Sequence, residues 1–287
     1  MNVNRFGVAA IAVFVWAGMA GEAGAQGAFY VQIDQTGVAR AFCASGEPVL
    51  GGGASSIRGS ADRSLRQTSP ISDKSGASAF DTTAIGWQAA TLDAGSLVRA
   101  YAVCADALLA AALSVQYVSQ AATGLARAYC PAGTKVIGGG GFVTTGKDGG
   151  LGQLRQTYPI SDESGVIAWG RNAIGWQVAS SDFKGNVVAF AVCATSPSLQ
   201  VEYRSTQAND DYRGSAMAIC PAGTIVTGGG GFVETSPYEP VALRATYPIA
   251  DETGVGAYDR NAIGWQTISN VFIKGTVVSL VVCLSGT

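Results

Sequence analysis

The residues of this chain that could do chemistry come in threes. Asp73, Asp162 and Asp251 each open an Asp-x-Ser/Thr-Gly segment, and each follows an arginine (Arg66, Arg155, Arg244) by seven residues. Such a pair could hold an anion, or fix a turn through a bidentate ion pair. The ion pair is the expectation, because a catalytic constellation is seldom needed three times in one chain. The segments themselves read as Asx turns ending on a permissive glycine. A calcium loop needs more oxygen ligands at alternating spacing, and Lys74 stands where the other copies carry Glu163 and Glu252. Ser164 lacks a GxSxG elbow. The chain contains no histidine, which excludes Ser-His-Asp and Cys-His nucleophile systems and every zinc site built on imidazole. No catalytic residue is assigned, and no metal or cofactor is expected.

Two sets of aromatics offer binding chemistry instead. Trp87, Trp176 and Trp265 each follow Ile-Gly at an 89-residue step. Their place within strand-like segments predicts core residues packed against a disulfide rather than sugar platforms. The second set is Phe80, Trp169 and Tyr258, again 89 residues apart. Hydrogen-bonding residues surround them: Asp81 beside Phe80, Arg171 and Asn172 after Trp169, Arg260 and Asn261 after Tyr258. Divergent polar and aromatic loops on a rigid frame are a common way to build a binding site. These eight residues are the candidate ligand-binding set. The loops after the glycine runs (54–64, 143–153, 233–242) also diverge between copies.

The frame that must position them is a repeat. Leu65–Ile71 returns as Leu154–Ile160 and Leu243–Ile249, and Ala84–Gln88 as Ala173–Gln177 and Ala262–Gln266. Cys43, Cys130 and Cys220 each precede a glycine run by eight residues, and Cys104, Cys193 and Cys283 close the copies. The repeat selects one pairing of the six: Cys43–Cys104, Cys130–Cys193 and Cys220–Cys283. Each bridge closes about sixty residues and contributes roughly 4 kcal/mol in the chain-entropy model. The glycine runs lack the Gly-Lys-Ser/Thr of a phosphate loop; they predict strands or bulges where a backbone or a Trp ring packs closely.

Within a copy, Val187–Cys193 is a β-branched run apolar on both faces, as in a strand covered on both sides. Pro159 marks an edge or a bulge. Only Ala107–Leu113 suggests a short helical connector. The fold class is therefore all-β: three disulfide-stapled, sandwich-like units, either strung in tandem or closed about a pseudo-threefold axis. The boundaries are a signal peptide over 1–25, with an uncharged apolar run at Phe6–Ala20 and Ala23-Gly24-Ala25 before the cut, and repeats over 26–110, 111–197 and 198–287.

The order Cys130-Pro131-Ala132-Gly133, Gly138-Gly139-Gly140, Gly175-Trp176, Ala191-Val192-Cys193 resembles repeats in uncharacterised secreted bacterial proteins. The third copy keeps it from Cys220-Pro221-Ala222-Gly223, whereas the first has Cys43-Ala44-Ser45-Gly46. The resemblance implies export and β-structure, and no activity. Only 13% of the 287 residues are charged, and the net charge is −2. A disordered chain and a nucleic-acid partner are thus excluded, and no membrane span is expected once the signal is removed. The function expected is a secreted, non-catalytic binding protein, periplasmic or at the cell surface, recognising carbohydrate or a surface polymer through repeated loops. The alternatives are an assembly component of the envelope or an appendage, and, third, a carboxylate-based glycan hydrolase. The oligomeric state is left open.

Overall fold

The computed structural model describes residues 27–59, 63–145, 152–209, 214–234, 241–258, 261–270 and 275–286. The signal segment lies outside these residues. The first repeat forms β1 (Ala28–Thr36), β2 (Val38–Phe42), β3 (Val49–Arg58), β4 (Leu65–Ile71), β5 (Gly86–Thr91) and β6 (Leu97–Ala105). A six-residue helix, α1 (Ala107–Ala112), leads to β7 (Ser114–Thr123), β8 (Leu125–Tyr129), β9 (Lys135–Thr145), β10 (Leu154–Ile160), β11 (Gly175–Ser180) and β12 (Asn186–Thr195). The third repeat adds β13 (Gln200–Asn209), β14 (Ser215–Ile219), β15 (Ile225–Glu234), β16 (Leu243–Ile249), β17 (Gly264–Ser269) and β18 (Thr276–Ser285).

These strands build three six-stranded antiparallel sheets, and every sheet is shared by two repeats. Their orders are β1-β6-β3-β16-β17-β14, β7-β12-β9-β4-β5-β2 and β13-β18-β15-β10-β11-β8. Each takes the first, sixth and third strands of one repeat and the fourth, fifth and second of another. Repeat one is thus joined to three, two to one, and three to two. The chain closes into one pseudo-threefold body, which decides between the two arrangements open in the sequence. Tandem sandwiches would have left each repeat with its own sheets.

The joints explain the glycines. Each seam pairs only two residues per strand, as at Gln67↔Phe142 and Thr68↔Gly141. The glycine strands β3, β9 and β15 meet at the axis. A Cβ on Gly138 would strike the Leu50 carbonyl, one on Gly51 the Thr227 carbonyl, and one on Gly228 would stand 2.8 Å from the Gly138 Cα. The next glycine outward makes room for the indole: a Cβ on Gly52, Gly139 or Gly229 would overlap Trp87, Trp176 or Trp265. All three indoles are fully buried. A dry N–H needs a partner, and each finds a threonine on the adjacent strand: Trp87 Nε1 donates to Thr68 Oγ1 (2.8 Å), Trp176 to Thr157 (2.9 Å) and Trp265 to Thr246 (2.7 Å). The threonine hydroxyl supplies that acceptor and its methyl fills the core.

Tyrosines on the edge strands pin one repeat to the next. Tyr30 Oη donates to the Val226 carbonyl at 2.8 Å, Tyr117 to Val49 at 2.9 Å, and Tyr203 to Val136 at 2.7 Å. Burial pushes all three hydroxyls well above the ordinary tyrosine range. The three disulfides pair as the repeat requires. Each ties the end of one leaf of a repeat to the other leaf, in a different sheet; Cys43 follows β2, and Cys104 lies in β6. They fit an oxidising, extracellular setting. Among the described residues no helix is long and apolar enough to cross a membrane.

One expectation needs correction. The Arg–Asp ion pairs do not form: the ion pairs among the described residues are Arg99–Asp34 and Arg204–Glu202. Arg66, Arg155 and Arg244 lie near the start of their strands, while the aspartates lie beyond the end. Extended chain rises about 3.3 Å per residue, so the groups stand too far apart for a side chain to span. Arg155 instead lies over the Phe183 ring, 5.2 Å from its centroid. The aspartate turns are held locally. Asp73 Oδ1 accepts from Ser75 Oγ and from the backbone N–H of Gly76 and Ala77. Pro159, expected at an edge or bulge, lies near the end of β10, where that strand has a free edge beyond the seam. It pairs with Trp176 on one side, past the two-residue seam with β15 on the other, so no ladder bond is lost.

Candidate functional site

The segment after the fourth strand of each repeat folds back over the outer face of its sheet. In the second copy an isolated bridge joins Ile160 to Ile167, and Ala168 N–H donates to the Pro159 carbonyl at 3.1 Å. Beneath it, Tyr158, Ile160, Phe232, Val278 and Leu280 form a small outer core. The residue after the aromatic then turns the chain. Asp81 has φ 49° and Gly170 φ 58°, both left-handed. Asp is among the few side chains that tolerate this region, so Asp81 serves the turn.

That turn leaves the aromatic outside. Phe80, Trp169 and Tyr258 are 50%, 65% and 51% exposed, one on each sheet, whereas Trp87, Trp176 and Trp265 are 0%. The two aromatic sets therefore divide as the sequence suggests, one into core and one onto the surface. Phe80 rests on Phe190, ring centroids 5.5 Å apart. Asp81, Arg171 and Asn172 are exposed beside their aromatics. Arg260 lies outside the described residues. Asn261 does not join Tyr258 but lines a separate 400 Å³ cleft with Tyr30 and Cys220. The seven described candidates are thus spread over the body rather than brought into one site.

The Trp169 wall combines its aromatic face with charged groups of both signs from a second repeat. Gly170 N–H donates to the Tyr203 carbonyl at 3.2 Å, docking the loop of repeat two on edge strand β13 of repeat three. The result is a shallow 470 Å³ groove lined by Trp169, Glu202, Arg204, Ser205, Thr206 and Ile219. Arg204 Nε donates to Glu202 Oε1 at 2.6 Å, with both side chains about half exposed. An exposed pair contributes about 0–1 kcal/mol, so both groups can exchange partners with a ligand at small cost. The positions matching Glu202 and Arg204 are Gln116 and Val118 in copy two, and Phe29 and Val31 in copy one. The edge strands of the three copies therefore differ in chemistry at these positions. Sequence reasoning missed Glu202 and Arg204 because they belong to a different repeat from Trp169. The signal was present in the divergence of these strands between copies.

No protein-family model matches this chain, and no curated protein matches it. The groove therefore stands on its own geometry.

Proposed function

We propose that the protein is a secreted, non-catalytic binding module, periplasmic or at the cell surface, that recognises carbohydrate, with the Trp169 groove as its main site. The observation that carries this reading is a 65% exposed indole beside an exposed Arg204–Glu202 pair. A pyranose presents an apolar C–H face and a rim of hydroxyls. The indole face complements the first. Arg204, Glu202, Ser205 and Thr206 offer donors and acceptors for the second. Phe80 and Tyr258 repeat the aromatic on the other walls, so a polymer touching more than one wall gains avidity without further contacts.

The test is a glycan and polysaccharide screen with the oxidised mature chain, run beside Trp169→Ala and a Phe80/Trp169/Tyr258 triple alanine variant. Binding that Trp169→Ala abolishes and the folded state survives supports the reading. No binding by the wild type removes it, and sedimentable material formed without ligand would point to envelope assembly instead.

A further inference from the structure

The first copy departs from the other two in sequence at two places, and the fold brings these places together. Cys43-Ala44-Ser45-Gly46-Glu47 replaces Cys-Pro-Ala-Gly-Thr, Pro48 stands where the other copies carry Lys135 and Ile225, and Lys74 replaces Glu163 and Glu252. Both line one cleft of 630 Å³ beside the Cys43–Cys104 bridge, closed at the back by Val115 and Tyr117 of the next repeat. The volume lies within the range of small-molecule sites. The pseudo-equivalent cleft of the third copy is smaller, at 400 Å³, and no charged residue lines it. In the second copy the Tyr129 hydroxyl reaches across to the Glu163 carbonyl at 3.5 Å; Phe42 holds that position in the first copy and has no hydroxyl to span the opening.

The walls are mostly apolar, with Phe42, Pro48, Ile85 and Val115 among them. The charged groups that face the cleft are Lys74 and Glu47. Glu47 is already engaged, its Oε2 accepting the Ala44 N–H at 2.8 Å, which fixes the altered turn. Lys74 is exposed at the mouth and is in neither of the two ion pairs among the described residues. A roomy apolar slot with one uncommitted cation selects a molecule of matching pattern. We propose that this cleft binds a small amphipathic anion, an apolar chain ending in a carboxylate, with the chain against Phe42, Ile85 and Val115 and the carboxylate at Lys74.

The probes are octanoate, octylammonium and 1-octanol, titrated by calorimetry into the oxidised mature protein. Octanoate binds one site and outcompetes both others. Lys74→Glu, which restores the residue type of the other copies, weakens octanoate by about tenfold, as loss of a charge-assisted contact does. It leaves octanol unchanged and improves octylammonium. Lys74 is exposed, so this variant tests charge without disturbing the core. Val115→Trp, checked for folding by circular dichroism, blocks all three. Trp169→Ala changes none of them, which separates this site from the glycan groove. Absence of octanoate binding, equal binding of octylammonium, or an unchanged affinity in Lys74→Glu would each overturn the proposal.

Discussion

Gly138→Ala tests the closure of the body at its axis. The added methyl would lie 3.2 Å from the Gly51 Cα, 3.3 Å from the Leu50 carbonyl carbon, and closer still to the Leu50 oxygen. Ordinary contact distance is about 3.5–4.0 Å. The obstructing atoms are backbone, so no side chain can swing away, and the three central strands must part. Overpacking of this kind costs about 1–3 kcal/mol, and the stiffer unfolded chain returns about 0.4–1 kcal/mol. At the centre of these ranges the net is a loss of about 1.3 kcal/mol, or a fall in Tm of roughly 3–5 °C for a domain of this size. Thermal unfolding followed by tryptophan fluorescence reads it directly, since the indoles pack against the adjacent glycines Gly52, Gly139 and Gly229 of these strands. Gly95→Ala is the control. Its Cβ would meet nothing nearer than Asp93 Oδ1 at 3.4 Å, so it is neutral or slightly stabilising. A second alanine at Gly51 or Gly228 costs less than the first, because the axis is already spread. If Gly138→Ala unfolds with the Gly95→Ala control, the glycine strands are not in contact, and the closed-ring reasoning fails.

The remaining predictions concern the joints and the two sets of tryptophans. Trp176→Ala empties a fully buried site and strands the Thr157 hydroxyl, costing about 3–5 kcal/mol in denaturant titration, whereas Trp169→Ala shifts stability by no more than about 0.5 kcal/mol. Replacing Cys130 and Cys193 by alanine lowers stability by roughly 4 kcal/mol from the loss of a cross-link spanning 63 residues. Tyr30, Tyr117 and Tyr203 keep their protons in the fold beyond the pH at which the unfolded chain releases them, near 10. Their contribution is therefore complete below about pH 10 and is lost as pH rises above it. Tyr117→Phe flattens that alkaline limb in pH-dependent unfolding, and an unchanged limb would refute the assignment.

Local chemistry was legible at the turns and in the core. Asp73 and its counterparts read as Asx turns, and they are. The indoles at Trp87, Trp176 and Trp265 read as core from strand position alone. The Arg66–Asp73 pairing failed because spacing along a chain says nothing about distance until the strand is known to run straight through Ile71. Glu202 and Arg204 escaped notice beside Trp169 for a related reason: the groove is made by residues that the sequence assigns to different repeats.

Three copies of one all-β unit, their internal cysteine pairing, and the division of aromatics between core and surface follow from the sequence, because each depends on residue type and on period within a copy. Which repeat shares a sheet with which was decided only in three dimensions. Seams of two residue pairs carry no pattern that a linear reading can detect, and the glycines that permit them look alike in any arrangement that packs backbone on backbone. The same closure set Trp169 beside Arg204, and Val115 and Tyr117 beside the altered turn of the first copy. Contacts between repeats depend on where separate segments come to rest, and the sequence alone does not state that.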